Sequence, residues 1–315
     1  MIDLVRTKYN NAVVDIAAIT RFFTLDVLST VAFGRPFGFM AANDDLWEYD
    51  KSTTQAMMLL EWVVNHPSFR WLFQSSLMQK LAAPKPSDAK GMGPVLGFAR
   101  KAVAERFGTN AKVKKDMLGH FVSKGLSQLR CEVEANLQIV AGSDSTTTVL
   151  RSTLFLLAGT PVSYAKLRSE IDVATSDGSL SYPVATYTEA QKLPYLTACL
   201  WEGLRMYPPL FGLKAKLAPQ GGETVKGIYY PEGSEVAICD DALCRNTEIF
   251  GADAHLFRPD RWINADAETR VKYRQTVDVV FGSGRFMCLG RHIAMMELHK
   301  AMVEVCLFFF PFPCP

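Results

Sequence analysis

Apolar residues recur at helical spacing through most of the first two thirds of the chain. Residues 13–33 are mostly apolar and end at a Gly-Arg-Pro break, which predicts a helix that stops there. A second helical pattern is interrupted at His66-Pro67, and residues 81–93 have the composition of a linker. The helical segments predicted after residue 33 are residues 45–80, 94–126 (one or two helices), 129–158, 163–175 and 188–206.

The pattern changes after residue 206. Residues 222–238 alternate short β-prone runs with Gly and Pro-Glu-Gly, which predicts strands and turns. Residues 240–280 show little periodicity and are predicted to be mostly irregular, and a last helix is predicted from about Leu289 to Leu307. We therefore predict a mainly α fold with a small β element, in a single domain over residues 1–315.

Composition narrows the classes of function. The formal net charge of +2 in 315 residues gives no basic face for nucleic acid. The seven cysteines include no C-x-x-C pair, so a zinc ribbon finds no support and reduced thiols in a cytosol-facing compartment are expected. No run of about 18 uncharged apolar residues occurs, so no membrane span or anchor is predicted.

One cysteine, Cys288, has a specific setting within FGSGRFMCLG. A thiol at a helix start feels the positive end of the helix dipole, and Arg285 adds a cation, so both favour thiolate over thiol. Glycines such as Gly284 and Gly290 let the backbone approach a flat partner closely. Such a thiolate suits a soft metal centre, for example haem iron.

Other interpretations of this segment stay open at this point. An isolated cysteine is more often a small buried apolar residue than a ligand. A phosphate-binding loop would need a third glycine and a following Gly-Lys-Ser/Thr, and this segment lacks both at the required positions. A cysteine hydrolase would use His292, one helical turn beyond Cys288, as its base, but no third orienting residue is evident.

A second motif lies in WEGLRMYPP. Glu202 and Arg205 are three residues apart on an otherwise apolar helix and so share one face. A surface ion pair would be worth little. The apolar residues before it predict burial instead, and a buried pair needs further hydrogen-bonding partners. Arg261, in FRPDRW, is a candidate for this third member.

A third motif, AGSDSTTT, interrupts an apolar helix with Gly142 and a run of hydroxyl residues. Such side chains bond back to the carbonyl one turn earlier and bend the helix. The site could hold a small ligand or waters, with Asp144 passing protons along them. A helix crossing a polar interface would have a similar sequence.

Together these segments resemble the cytochrome P-450 family of haem-thiolate monooxygenases. FGSGRFMCLG is similar to the family's F-x-x-G-x-R-x-C-x-G, and Glu202-x-x-Arg205 to its E-x-x-R. FRPDRW resembles F-x-P-x-R-W, and AGSDST resembles the oxygen-binding A-G-x-D-T-T. The order and spacing agree over most of the chain, from about Val13 to Leu307.

The resemblance implies a role for each matching residue. Cys288 would be the axial thiolate ligand of haem iron (haem b), within a loop formed with Gly284 and Gly290. The other implied roles are haem propionate pairing for Arg285 and Lys216, tuning of the thiolate for Phe281, support of the haem-binding loop for Glu202, Arg205 and Arg261, lining of the oxygen groove for Ala141 and Gly142, and proton relay for Asp144 and Ser145.

Two departures from the family pattern affect these expectations. Ser145 stands where the family usually has threonine, which keeps the hydroxyl and loses the methyl. The family's N-terminal anchor, first helices and final strands have no counterpart here, and CLFFFPFPCP stands at the end. The resemblance therefore predicts an incomplete P-450-like fold, truncated at both ends, that by itself is not a competent enzyme.

The expected function is insertion of one oxygen atom of O2 into a lipophilic small molecule, as in microsomal fungal enzymes of secondary metabolism. Electrons would come from NADPH through a reductase partner at the cytosolic side of the endoplasmic reticulum. Membrane contact is expected for the full-length family, and a chain without an anchor would be cytoplasmic. Leu210–Leu213 are candidate substrate contacts. The alternatives are a truncated, non-catalytic relative without productive haem binding and a cysteine hydrolase using Cys288.

Overall fold

The computed structural model of the chain is mainly helical and divides into two compact units. One contains Asp3–Thr147 and the other begins at Thr148, within a long helix. The residues that the structure describes are 1–9, 12–66, 69, 71, 75–76, 78, 83–109, 111–112, 114–210 and 214–308. The predicted linker residues 81–82, the substrate contacts 211–213, Cys314 and the tail after Phe308 lie outside this set.

In the first unit, the first long helix begins and ends as local capping rules predict. The predicted helix of residues 13–33 begins at Ile16, because the Asp15 carboxylate accepts hydrogen bonds from two backbone N–H groups of the first turn, and Gly34 ends it with a φ of 73°. A short α-turn (Ile2–Leu4) and a π-turn (Val5–Tyr9) precede it. The helices are α1 (Ile16–Phe33), α2 (Phe39–Ala42), α3 (Tyr49–Asn65), α4 (Met92–Ala104), α5 (Met117–Ser123) and α6 (Gln128–Ala158), with a 3₁₀ turn at Leu46–Glu48.

An aromatic core holds the first unit together. The rings of Phe37 and Phe98 meet edge to face with centroids 4.9 Å apart, and Phe39 packs on both Phe22 and Tyr49. These rings belong to one buried cluster with apolar residues of α1, α4 and α6. The cluster positions α6, the helix that contains the AGSDST segment.

Among the described residues, one helix, α1, is long enough and apolar enough to span a membrane. Half of its residues are buried, as in a core helix. Its two charged residues are engaged inside the unit: Arg21 pairs with Asp50, and the Asp26 carboxylate accepts from the N–H groups that begin α2. The helix is therefore a weak indication of a span.

The second unit is built on three packed helices, α7, α9 and α14. Glu170 of α7 accepts hydrogen bonds from the N–H groups of Tyr195 and Leu196, at 2.8 and 2.9 Å, and so caps the start of α9. The elements are α7 (Pro161–Ser176), α8 (Tyr187–Ala190), α9 (Pro194–Met206), β1 (Lys214–Leu217), β2 (Glu223–Val225), β3 (Ile228–Tyr230), β4 (Glu235–Ile238), α10 (Asp240–Cys244), α11 (Thr247–Phe250), α12 (Asp260–Asn264), α13 (Ala267–Asp278) and α14 (Arg291–Phe308), with 3₁₀ turns at Val279–Phe281 and Gly284–Phe286.

The β element consists of two antiparallel pairs. Strands β2 and β3 form a hairpin whose turn residues, Lys226 and Gly227, both have positive φ, as a two-residue type I′ turn requires. Strand β1 pairs with β4, with Lys216 opposite Val236. Strand β1 was not predicted, whereas β2, β3 and β4 fall within the predicted residues 222–238.

The prediction of a mostly irregular segment over residues 240–280 was wrong. Helix α13 occupies twelve of these residues and is capped by Asp266, whose carboxylate accepts from the Thr269 N–H. Of this helix only Val277 is buried, so no apolar stripe marks it in the sequence. The predicted helix over 188–206 is two helices, because Pro194 begins a new one.

Candidate functional site

The segment around Cys288 is an exposed loop between α13 and α14. Its backbone is closed by a hydrogen bond from the Cys288 N–H to the carbonyl oxygen of Phe281, with an N–O distance of 2.7 Å. Gly282 has a φ of 76°, and a Cβ there would lie 2.6 Å from the Phe286 carbonyl oxygen, so only glycine fits. The Cys288 thiol is exposed at the end of this loop.

Two cations lie beside the loop. The guanidinium carbon of Arg285 is 4.8 Å from the ring centroid of Phe286, and the ammonium of Lys216, on β1, is 5.2 Å from the same ring. Among the ion pairs formed by the described residues, none includes either cation. The fold thus brings Arg285 and Lys216, which are far apart in sequence, to one exposed aromatic ring near Cys288.

This loop fits a haem. An exposed thiol is the ligand type that a haem-thiolate iron needs, and two cations without acid partners among the described residues suit the two propionates. The apolar surface that a macrocycle would cover is present, because Phe286 (61% exposed), Met287 and Leu289 all face outward. A Cβ at Gly290 would lie 3.8 Å from Cys288 Sγ, which is an ordinary contact distance, so the packing around this position does not by itself require a glycine.

His292, the base required by the cysteine hydrolase alternative, is exposed on α14. In the described part of the chain no hydrogen bond joins it to Cys288. That alternative therefore gains no support from the geometry.

Glu202, Arg205 and Arg261 meet in one buried cluster. Arg205 and Arg261 both donate to the Glu202 carboxylate, at distances of 2.7 to 2.9 Å, and the three residues are at most 3% exposed. Trp262, which the sequence interpretation did not assign, donates to the same carboxylate from Nε1 at 2.8 Å. The backbone N–H of Arg258 adds a further donor at 2.9 Å.

The arginines of this cluster also donate to backbone carbonyl oxygens between residues 244 and 256. Arg205 donates to the carbonyl oxygens of Cys244, Ala254 and Leu256, and Arg261 donates to those of Phe250 and Asp253. These carbonyls lie on and between α10, α11 and α12. The buried cluster thereby ties helix α9 to the chain that precedes α13.

The AGSDST segment lies on α6. The hydroxyls of Ser143 and Ser145 donate to carbonyl oxygens four residues earlier, each at 2.8 Å, as expected for such residues in a helix. A Cβ at Gly142 would lie 3.1 Å from Leu28 Cδ1, so the glycine permits close packing of α6 on α1. Ala141 is exposed.

Asp144 has partners that the sequence did not reveal. The buried guanidinium of Arg21, on α1, lies 3.8 Å from Asp144 Oδ1 and also pairs with Asp50. Tyr49 is close to this group, and burial raises its pKa to about 12 while a hydrogen bond with Ser143 acts in the opposite direction. A signal for Arg21 existed in the sequence, because it is a lone cation in an apolar helix, but its partner could not be chosen from there.

Comparisons with known proteins identify the family of the chain. The family model described as Cytochrome P450 matches residues 1–311. The cytochrome P-450 monooxygenase ABA1 of Pyricularia oryzae is 40% identical over 296 residues, which cover 93% of this chain and 57% of that protein. The monooxygenase aba1 of Botryotinia fuckeliana is 36% identical, and the match covers 97% of this chain and 61% of that protein. The monooxygenase abl1 of Leptosphaeria maculans is 35% identical, and the match covers 94% of this chain and 52% of that protein.

The fold has a counterpart among solved structures. The heme domain of cytochrome P450DA superposes with a TM-score of 0.76 at 23% identity, covering 96% of this chain and 64% of that one. The chain spans just over half the length of the curated relatives described above.

Proposed function

The chain belongs to the cytochrome P-450 family, and from this premise we propose that its activity is that of a haem-thiolate monooxygenase. The reaction inserts one oxygen atom of O2 into a lipophilic small molecule of secondary metabolism, consumes two electrons and two protons, and releases the second oxygen atom as water. The haem supplies the activation of O2 when it is bound. Three relatives named as monooxygenases support the reaction type.

The chain's own residues have distinct tasks in this proposal. Cys288 would hold the haem iron through its thiolate, and the exposed thiol beside two cations without acid partners among the described residues is the observation on which the proposal rests. Arg285 and Lys216 would hold the haem propionates as charge-assisted hydrogen-bond donors. Phe281 positions Cys288 through its carbonyl, and its ring lies on the same loop.

Proton movement is assigned to Asp144 and Ser145. The Ser145 hydroxyl donates to the Ala141 carbonyl, which leaves its oxygen lone pairs as acceptors for a water. Asp144 is a partly exposed carboxylate held near Arg21, so it can take protons from solvent and pass them along the helix. Ala141 and Gly142, one turn earlier on α6, line the oxygen groove in this proposal.

Electrons come from NADPH through a reductase partner at the cytosolic side of the endoplasmic reticulum. The buried cluster of Glu202, Arg205 and Arg261 supports the haem-binding loop by fixing the segments before α13. Its rigidity is expected because every carboxylate oxygen and both guanidinium groups have partners.

The decisive experiment is the spectrum of the reduced, carbon monoxide-bound protein after loading with haem. We expect the red-shifted Soret band of a thiolate-ligated carbonyl complex in the parent chain and its loss in Cys288→Ala. Cys239→Ala is the matched control, because Cys239 is the other exposed free thiol among the described cysteines. Retention of the band in Cys288→Ala would refute the assignment of the ligand. Failure of the parent chain to bind haem would favour the non-catalytic alternative.

A further inference from the structure

Five side chains beside the Cys288 loop, of which Asp278 is the one acid, form a closed ring of contacts. Asp278 pairs with Arg291 at 2.7 Å and with Arg274 at 3.5 Å. The Arg274 guanidinium lies 3.4 Å from the ring centroid of Trp201, and that of Arg291 lies 5.3 Å from the ring centroid of Phe281. The two rings meet edge to face with centroids 6.4 Å apart, which closes the circuit.

The charges in this ring contradict the preferences of the helices that contain them. Asp278 is the last residue of α13, where the helix dipole disfavours an acid, and Arg291 is the first residue of α14, where it disfavours a cation. Arg274 precedes Asp278 by four residues, the less favourable order for a helical ion pair. Local conflicts of this kind are expected where a tertiary or functional requirement overrides them.

The ring lies where it can act on the proposed ligand. The ends joined by Asp278 and Arg291 are the two ends of the loop that contains Cys288. Arg291 covers the ring of Phe281, whose carbonyl accepts the Cys288 N–H. Arg274 covers Trp201, which is adjacent to Glu202 of the buried cluster. One acid thus connects the cluster, the loop and the start of α14.

We propose that Asp278 is a positioning residue for the thiolate of Cys288, acting through Arg291 and Phe281. This inference rests on the proposed function, because it assigns Cys288 as the haem ligand. An isolated ion pair at the exposures of Asp278 and Arg291 (29% and 21%) would contribute little. The pair matters here because each arginine also fixes an aromatic ring, so removing the acid releases both.

The test compares Asp278→Asn with Glu268→Gln, which removes a charge from the exposed side of the same helix. Two quantities are measured besides thermal unfolding: haem affinity and hydrogen exchange of the Cys288 amide in the haem-free chain, which reports on its bond to Phe281. In Asp278→Asn we expect haem affinity to fall by about tenfold or more, as for other outer-shell partners of metal ligands. The exchange rate of the Cys288 amide should rise several-fold. Part of the red-shifted Soret band of the carbon monoxide complex should be lost.

The control variant and the conservative variant separate a specific effect of Asp278 from a general loss of charge. Glu268→Gln should match the parent chain, and Asp278→Glu should restore a large part of the haem affinity. If Asp278→Asn does not fold, Arg291→Gln compared with Arg291→Lys decides instead, with the same readouts. Equal Cys288 amide exchange and equal haem affinity in Asp278→Asn and Glu268→Gln would overturn the proposal. Absence of a thiolate band in the parent chain would instead refute the proposed function, and the exchange comparison would still decide the positioning role.

Discussion

Arg205 donates two hydrogen bonds to the carboxylate of Glu202, from Nε to Oε2 at 2.9 Å and from Nη2 to Oε1 at 2.7 Å, and both side chains are fully buried. Removing one member of such a pair leaves the other charged and without its partner in a site that excludes water. We expect Glu202→Ala to lower the free energy of unfolding by about 3–5 kcal/mol. Chemical denaturation measures this loss.

An exposed ion pair is the control for that prediction. Arg168 and Asp172 are one turn apart on α7, and Asp172 is 50% exposed. Asp172→Asn should change the free energy of unfolding by less than about 1 kcal/mol. Similar losses in Glu202→Ala and Asp172→Asn would contradict the importance assigned to the buried cluster.

Glu297, on α14, predicts a dependence of stability on pH. Its side chain is 8% exposed, Oε1 has no hydrogen-bond partner among the described residues, and burial raises its pKa to about 8. The folded protein therefore keeps this proton up to about pH 8, whereas the unfolded chain loses it near the ordinary glutamate pKa of 4.5. The contribution of this carboxyl to the free energy of unfolding is fully present below pH 4.5. It falls by about 1.4 kcal/mol per pH unit as the pH rises towards 8.

Glu297→Gln should remove this slope, because the amide does not titrate. The free energy of unfolding, measured by denaturation at several values between pH 5 and about 8, is the readout. Glu248→Gln, at an exposed position, should keep the parent slope. A parent slope that survives in Glu297→Gln would show that this carboxyl is not its source.

At Gly203 on α9, the packing leaves no room for a larger side chain. A Cβ there would lie 2.0 Å from Thr153 Oγ1 and 3.0 Å from Thr153 Cβ, in a buried contact between α9 and α6. Gly203→Ala should lower the free energy of unfolding by about 1–3 kcal/mol, the usual cost of overpacking. Adding Thr153→Ala should recover part of that loss, because it removes the closer atom.

Gly159→Ala is the matched control for this prediction. A Cβ at Gly159 would be no closer than 3.7 Å to its neighbours, so the substitution should be tolerated. If Gly203→Ala were as stable as Gly159→Ala, the close approach of α9 and α6 would be wrong.

In a form of the enzyme that turns over with a reductase, we expect Asp144 to control the ratio of product to peroxide. Without the acid, protons arrive slowly and reduced oxygen leaves as peroxide. Asp144→Asn should slow product formation, raise the peroxide fraction and keep haem binding. Ser145→Thr, which keeps the hydroxyl, should be neutral or improve coupling. An unchanged peroxide fraction in Asp144→Asn would remove Asp144 from the proposed relay.

Much of the architecture was predictable because it follows from local periodicity. The long helix α6 was predicted over residues 129–158 and runs over Gln128–Ala158. Burial of Glu202 and Arg205 followed from the apolar residues around them, since a charged pair on such a helix cannot reach water. Helix α13 was missed for the converse reason: a helix with a single buried residue has no apolar stripe to indicate it.

The sequence by itself determined which residues have distinctive chemistry: one cysteine among glycines, an acid and a base one turn apart, and hydroxyls interrupting an apolar helix. Only the tertiary structure decided their partners. It placed Lys216 and Arg285 on one ring, Arg21 beside Asp144, and Asp278 between two arginines. The physical reason is that periodicity reports how each element meets its surroundings, whereas contacts between distant residues depend on the packing of whole elements.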